Sequence, residues 1–399
     1  MMTQRETALE ILYKSIKEES YSNLLMRKEL EKLPQIQRAF VTNLVNGILR
    51  KYEFLSYQFQ DEIRADTSLR IRIILCMALY ERFYLKEKDY VVNNEYVELG
   101  RNRHEKAFIN ALLHKIKNPK EAEEPWIRNN LPEWIYRLLS SQYDEETLNS
   151  IFRIYQKIPS VCYRINRNRC RVEDLEGLNI AAVDDDIFTA EENLLTTKEY
   201  KQGDFYIQDF NSASLYRHLD LQEDHTLLDV CSAPGSKLFN CLDILKPENC
   251  YANDLHENRV KLIQKMAEKL GYEGIHYLNE DGRKLKDVID FKFDRIMLDA
   301  PCSGLGVIGR KPDLKFHVRP ESLDELEKLQ LELLNGIKEL VKTEGIILYS
   351  TCTLNRKEND RLVRKFLKEE ERYELLEEDT IINDQGDAFY YAKIKRVKE

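Results

Sequence analysis

The stretch "TLLDVCSAPGSKLFNCLDIL", residues 226–245, decides the reading of the fold. A short apolar run ends at Asp229. A turn of small residues follows, and then a helical pattern begins. Strand, tight turn and helix together let a ligand come close to backbone N–H groups. The turn is not GxGxxG, because Pro234 takes its centre and Gly235 is its one glycine. It is no Walker motif either, so a phosphate cradle is disfavoured.

Downstream the same alternation repeats. "NCYANDL" reads as a strand and "HENRVKLIQKMAEKLGY" as a helix. "IHYLNEDG" and "FDRIMLDAPCSG" are further strands, and "ESLDELEKLQLELLNGIKELVK" is a long helix. "GIILYSTCTL" and "NDRLVRKFLKE" complete the series. Alternating strands and helices predict a parallel, doubly wound, Rossmann-like sheet over residues 205–399, with ligands at the carboxyl ends of its strands.

Upstream the pattern is different. Residues 1–120 read as a compact all-α domain, with Ala8, Leu9, Ile11, Leu12 and Ile16 at helical spacing. "KNPKEAEEP" (117–125) combines prolines with a charge run and reads as a linker. Residues 121–204 hold this linker, two helices and short strand material. They form a small α/β adaptor subdomain.

Composition bounds the rest. The chain has 399 residues, 43% of them hydrophobic and 33% charged, as in a soluble globular protein. The polar start "MMTQRETALE" carries no secretory signal, and no apolar run is long enough to span a bilayer. A cytoplasmic protein is therefore expected, with no membrane partner. The net charge is −9, yet residues 1–120 carry 21 basic against 16 acidic residues. Basic residues also cluster in "CYRINRNRCR" (Arg164, Arg167, Arg169, Arg171) and "GRKPDLKFHVR" (Arg310, Lys311, Lys315, Arg319). Local patches count more than overall charge for phosphate contact. Either cluster alone reads more simply as a solvated face. None of the eight cysteines has CxxC spacing, so no metal site is expected.

Several acids fall at predicted strand ends. Asp254 lies 25 residues after Asp229, where doubly wound nucleotide sites commonly present an acid to ribose hydroxyls. Asp281 ends the third strand and is placed to face an adenine amino group. Ribose and adenine without a phosphate point to S-adenosylmethionine. Each acid taken singly could equally be a helix N-cap.

Two cysteines, Cys302 and Cys352, also follow predicted strands. A lone cysteine is more simply a core residue. Two at neighbouring strand ends beside such a site suggest chemistry. C5 of a pyrimidine is a poor nucleophile toward a methyl sulfonium. A thiolate adding at C6 makes C5 enamine-like, and a proton delivered toward N3, as Asp299 could do, assists that addition. A base must later remove the C5 proton so that the thiol can leave. Lys237 is a candidate for lowering a thiol's pKa. The rigid "DAPCSG" loop draws first suspicion to Cys302 as nucleophile, but the residues alone do not say which thiol attacks.

"DVCSAPGSK", "FDRIMLDAPCSGLGVIGRKPDLKF" and "ILYSTCTLNRKEN" resemble the signature motifs of the RNA 5-methylcytosine methyltransferases, and are closest to the bacterial 16S ribosomal RNA methyltransferase B group. "RETALEILYK", "VNGILRK" and "FINALLHKI" resemble the NusB-type domain of that group, and "GDAFYYAKI" resembles its closing strand. The resemblance covers nearly the whole chain. It implies that Cys352 is the nucleophile and that Cys302 assists release. It implies that the turn Cys231, Ser232, Ala233, Pro234, Gly235, Ser236 and Lys237, with Asp254, Asp281 and Asp299, holds S-adenosylmethionine. Asp299 and Lys237 would also lie near the target base. The family usually has APGGKT; Ser236 and Leu238 replace its second glycine and its threonine here. Ser236 is small enough for a close turn, whereas Leu238 removes a hydroxyl. Ala388 stands where the closing motif usually has a second glycine.

The implied partner is 16S ribosomal RNA, met by a monomer. "YRINRNRCR" and the basic helical domain are candidates for backbone contact. Phe205 and Tyr206 could stack on a base, although core packing is the simpler role. The rival readings are the same chemistry on tRNA or large-subunit rRNA, a non-catalytic RNA-binding assembly factor, and a small-molecule or amino-group methyltransferase. The paired thiols oppose the last two.

Overall fold

A computed structural model describes residues 2–18, 22–175 and 177–399. The chain divides into two compact units, Met1–Leu148 with Lys311–Arg319, and Asn149–Arg310 with Pro320–Glu399.

The first unit is helical. Its main helices are α1 (Gln4–Lys17), α2 (Ser22–Leu30), α3 (Gln35–Tyr57), α4 (Leu69–Phe83), α5 (Asp89–Glu98) and α6 (Arg103–Lys115). Thr3 and Glu6 form a reciprocal capping box that starts α1. Ala8, Leu9, Ile11 and Leu12 then face the core. α4 is buried along nearly its whole length, and the other helices pack around it. Phe316, from the second segment of this unit, packs on the same core, with its ring edge-on to Tyr52.

The second unit holds two sheets. The smaller is antiparallel, with strands β1 (Cys162–Ile165), β2 (Ile180–Asp184), β3 (Ile187–Ala190) and β4 (Phe205–Ile207) in the order β2-β3-β1-β4. Tyr163, Phe188 and Phe205 build its core, and Tyr206 is buried as well, so both "FY" aromatics are packing residues. Arg164 is buried too. It forms ion pairs with Asp186 and Asp243, each at 2.6 Å, and bonds to Asn240. It is therefore withdrawn from RNA contact: a buried guanidinium with two carboxylates is a structural cross-link. Arg167 and Arg171 remain exposed.

The larger sheet comprises β5 (Leu227–Asp229), β6 (Cys250–Asn253), β7 (His276–Leu278), β8 (Phe293–Asp299), β9 (Val341–Thr351), β10 (Tyr373–Ile381) and β11 (Phe389–Arg396). Their order is β10-β11-β9-β8-β5-β6-β7. The five strands β5 to β9 run parallel, as the alternation predicted, and are covered on both faces. β10 points the same way as these five, and β11 alone among the described strands of this sheet is reversed. β11 is antiparallel to β9 and β10, so the sheet is mixed. A parallel connection needs a crossover, and the short β10–β11 link carries no helix. Strand order reverses between β5 and β8, which puts the topological switch point at Asp229 and Asp299.

Candidate active site

Asp229 closes β5 and is fully enclosed. Among the described residues its Oδ1 has no hydrogen-bond partner, and neither has Ser232 Oγ. Burial pushes the Asp229 carboxyl up to about 7; the nearby Ser232 hydroxyl and Lys237 pull it down, and the charges of Asp299 and Asp254 push it up. Burial likewise raises the neighbouring Cys231 thiol. The turn between them is tight. Gly235 N donates to Ser232 O at 2.6 Å, and the Ala233–Pro234 bond is cis. Gly235 has φ +100°, and a Cβ there would lie 2.7 Å from the Phe239 ring, so glycine is required. Ser236 opens the helix Ser236–Cys241, and Leu238 is buried in the core beneath it.

Asp254 lies one residue past β6 and is buried. Its Oδ2 accepts from Ala233 N at 3.4 Å and its Oδ1 from His256 N at 3.2 Å. Asp254 and the turn thus form one unit. Asp281 lies three residues past β7. It caps the turn Gly282–Asp287 and pairs with Arg283 at 2.6 Å, which holds its carboxyl below the usual range. The N-cap alternative is what this acid does here. Asn253 was not singled out from sequence. Its amide joins Val230 O at 2.9 Å to Glu280 O at 3.0 Å, tying three strand ends together.

The two thiols meet. Cys302 Sγ lies 3.2 Å from Cys352 Sγ. Their loops are clamped by Gly306, whose N–H donates to Cys352 O at 2.9 Å and whose carbonyl accepts from Ala388 N at 3.0 Å. A Cβ on Gly306 would lie 2.7 Å from Cys352 O. The bond to Cys352 and burial together raise the Cys302 thiol well above its usual range. Beside them Lys237 Nζ donates to Asp299 Oδ2 at 2.6 Å, and Ser350 Oγ donates to Asp299 Oδ1 at 2.9 Å. Burial opposes the charge on Lys237, but Asp299 outweighs it and holds the ammonium above its ordinary value.

Beneath the thiols lies a polar knot that sequence reasoning missed. Glu358 is fully buried and accepts from Ser303 N (2.9 Å), Ser303 Oγ (2.6 Å), Gln330 Nε2 (3.0 Å) and Asn355 Nδ2 (3.1 Å). Thr351 Oγ1 donates to Asn359 Oδ1 at 2.6 Å, and Asn359 Nδ2 to Thr353 O at 2.9 Å. The one trace of this knot in the sequence is the polar run "NRKEN" (355–359), three residues after Cys352, which does not by itself mark burial.

Residues 216–395 match the family described as 16S rRNA methyltransferase RsmB/F, and residues 2–118 match the NusB family. A Bacillus subtilis relative named "Probable ribosomal RNA small subunit methyltransferase B" is 33% identical over 93% of this chain and 89% of its own length. The chain belongs to the RsmB/F methyltransferase family. It is accordingly an RNA methyltransferase with an N-terminal NusB domain. A relative from Yersinia enterocolitica, "Ribosomal RNA small subunit methyltransferase B", is 28% identical over 90% of each chain. In fold, the crystal structure of PH0851 matches 99% of both chains with TM-score 0.79 at 20% identity. That of NSun6 from Pyrococcus horikoshii with SFG covers 67% of this chain and 99% of its own, with TM-score 0.61 at 18% identity.

Proposed function

We propose that this RsmB/F family member methylates C5 of a cytosine in small-subunit (16S) ribosomal RNA through a covalent thiolate adduct at C6. The observation that carries this reading is the 3.2 Å approach of Cys302 and Cys352, set beside the Lys237–Asp299 pair. The names of the relatives point to the small-subunit RNA as substrate.

The cofactor residues fit S-adenosylmethionine. Among the described residues Asp229 Oδ1 and Ser232 Oγ are buried without a hydrogen-bond partner, and both can bond a ligand's hydroxyl or ammonium group. The turn Cys231–Lys237 brings backbone close, with no side chain at Gly235. Asp254 would receive ribose hydroxyls, and Asp281 would face the adenine. When bound, the cofactor supplies an electrophilic methyl group.

The chain's own residues would do the rest. The target cytosine is extruded or already unpaired, because both ring faces must be reached. Cys352 Sγ adds to C6, while Asp299, held by Lys237 and Ser350, steers a proton toward N3. That makes C5 the nucleophile. After transfer a solvent base takes the C5 proton, the C6–S electron pair returns to Cys352, N3 gives back its proton, and Cys302 assists release by donating its S–H to the departing sulfur. Among the described residues no helix is long and apolar enough to cross a membrane. An rRNA substrate places the enzyme in the cytoplasm. The exposed Arg167 and Arg171, with the NusB domain, are the proposed RNA-backbone contacts.

The test maps methylated cytosines in 16S rRNA by bisulfite sequencing of a strain lacking this gene. One small-subunit cytosine should lose its mark and regain it on complementation. Loss confined to tRNA or large-subunit rRNA would move the substrate, and no loss anywhere would reject the reading.

A further inference from the structure

Two thiols 3.2 Å apart pose a question of chemical identity. Each follows the end of an adjacent parallel strand, and each is partly enclosed. A thiol–thiolate pair at that distance shares one proton, so whichever sulfur keeps it cannot attack. Something must break the symmetry.

The surroundings of the two sulfurs differ in charge. On one side stands the Lys237 ammonium, in the field of Asp299 and Cys352. On the other stands Glu358. Both hydrogen-bonding groups of Ser303, the residue next to Cys302, end on this carboxylate, at 2.9 and 2.6 Å. Gln330 Nε2 completes the clamp by donating both to Glu358 Oε2 at 3.0 Å and to Pro301 O at 2.9 Å, so the residues flanking Cys302 on both sides are held. The Cys352 loop is tied in through Thr353, which lies 2.7 Å from Ser303 Oγ, and Asn355, at 3.1 Å from Glu358 Oε1. Among the described residues four donors converge on the carboxylate, the pattern that an acceptor-only carboxylate satisfies.

We propose that Glu358 is a positioning residue that assigns the two thiols their roles: anchored on Ser303, its buried negative charge keeps the proton on Cys302, and the Cys302 S–H donates to Cys352 Sγ, leaving Cys352 as the thiolate. This rests on the reading of the two thiols as a nucleophile and a release group. The charge of Glu358 raises the Cys302 thiol, in the same direction as its hydrogen bond to Cys352. Lys237 favours the anion on the other sulfur. Glu358 touches no reacting atom. It acts through the peptide that carries Cys302.

The test reads each sulfur separately. The full-length protein, without RNA or cofactor, is alkylated briefly with iodoacetamide across a pH series. Peptide mass spectrometry then gives the initial rate at each cysteine. In the wild type Cys352 should react first and at lower pH than Cys302. The reverse order would overturn the proposal even if no variant folds. In Glu358→Gln, Cys302 should react about tenfold faster near neutral pH, the effect of about one pKa unit on thiolate fraction. Gln330→Ala loosens the same pocket but keeps the charge, and should leave Cys302 slow. Equal acceleration in both variants, or none in Glu358→Gln, would overturn the role of the charge. Lys237→Met should slow Cys352 and leave Cys302 unchanged; the opposite pattern also counts against the proposal. No methyl transfer is involved, so failure of the cytosine-C5 reading and failure of this one are distinguishable.

Discussion

Two loop systems at the same end of one sheet are built on opposite principles. After β5, Asp229 Oδ1 and Ser232 Oγ are buried without a hydrogen-bond partner among the described residues. After β8 and β9, the Glu358 carboxylate is buried and receives four bonds. Buried polar groups are normally satisfied, and an unsatisfied one costs stability. The first loop system therefore holds capacity for a ligand. The second is finished within the protein and holds geometry. A cofactor site must be incomplete without its cofactor, whereas a pair of reacting sulfurs must be fixed before substrate arrives.

The strongest way to break this contrast is to remove a sulfur. Cys352→Ala should lower methyl transfer from tritiated S-adenosylmethionine to undermethylated 16S RNA by at least ~10³-fold, as expected for a lost covalent nucleophile. Near-normal turnover would end that assignment. Cys302→Ala should instead leave a protein–RNA adduct that survives a denaturing gel.

Next in size is the satisfied knot. Glu358→Ala leaves Ser303 N and Asn355 Nδ2 without this partner, while Gln330 and Ser303 Oγ keep Pro301 O and Thr353 Oγ1, and should cost about 2–6 kcal/mol in urea unfolding, since each buried unpaired group costs about 1–3. A change under 1 kcal/mol would show that water or neighbours replace the carboxylate. Asp229→Asn, by contrast, should spare the fold and damage binding. The thermal stabilisation given by S-adenosylhomocysteine should shrink, because a charged acceptor is lost.

Asp229 also predicts a pH dependence. Its carboxyl is raised from 3.8 to about 7 in the fold, so between those values the native state binds the extra proton. Its contribution to stability therefore falls as pH rises from about 4 to about 7. Urea midpoints of wild type and Asp229→Asn should converge toward acid and separate toward neutrality, with the variant higher. Parallel curves would refute the burial argument. The smallest effect is expected at the exposed Arg283, where Arg283→Ala should change stability by under ~1 kcal/mol in the same titration.

How much of this was legible depended on the range of the interactions. Strand–helix alternation is local, so β5 to β9 could be read directly, and with them the adjacency of two strand ends fifty residues apart. The mixed character of the sheet was missed because β10, with its many acidic residues, lacks a buried strand's apolar run. Asp254 and Asp281 look alike in sequence, and each also holds an arginine, Arg259 at 3.3 Å and Arg283 at 2.6 Å, which strand-end spacing does not reveal. Glu358 was invisible for a different reason. "NRKEN" is polar throughout, and the burial of Glu358 within it depends on donors from Ser303 and Gln330, which sequence separation hides. Half of the basic cluster "GRKPDLKFHVR" was hidden in the same way, while Lys311 and Arg319 are exposed. Arg310 is bound between Asp209 and Asp387, and Lys315 is buried with its ammonium on Asn130 O. Neither reading of that cluster, solvated face or phosphate contact, anticipated charges used as internal ties.

That last segment has a consequence for biosynthesis. Lys311–Arg319 belongs to the helical unit although it is encoded far beyond it. Phe316 fills a place on the helical core, Asp313 accepts from Ser22 N at 2.7 Å, and His317 bonds to Ser15 O. At about 5–20 residues per second, the ribosome delivers this segment roughly 10–30 s after residue 148 has been made. The helices must wait through that interval with part of their core uncovered. A gene fragment cut at the apparent linker would leave that surface bare for good.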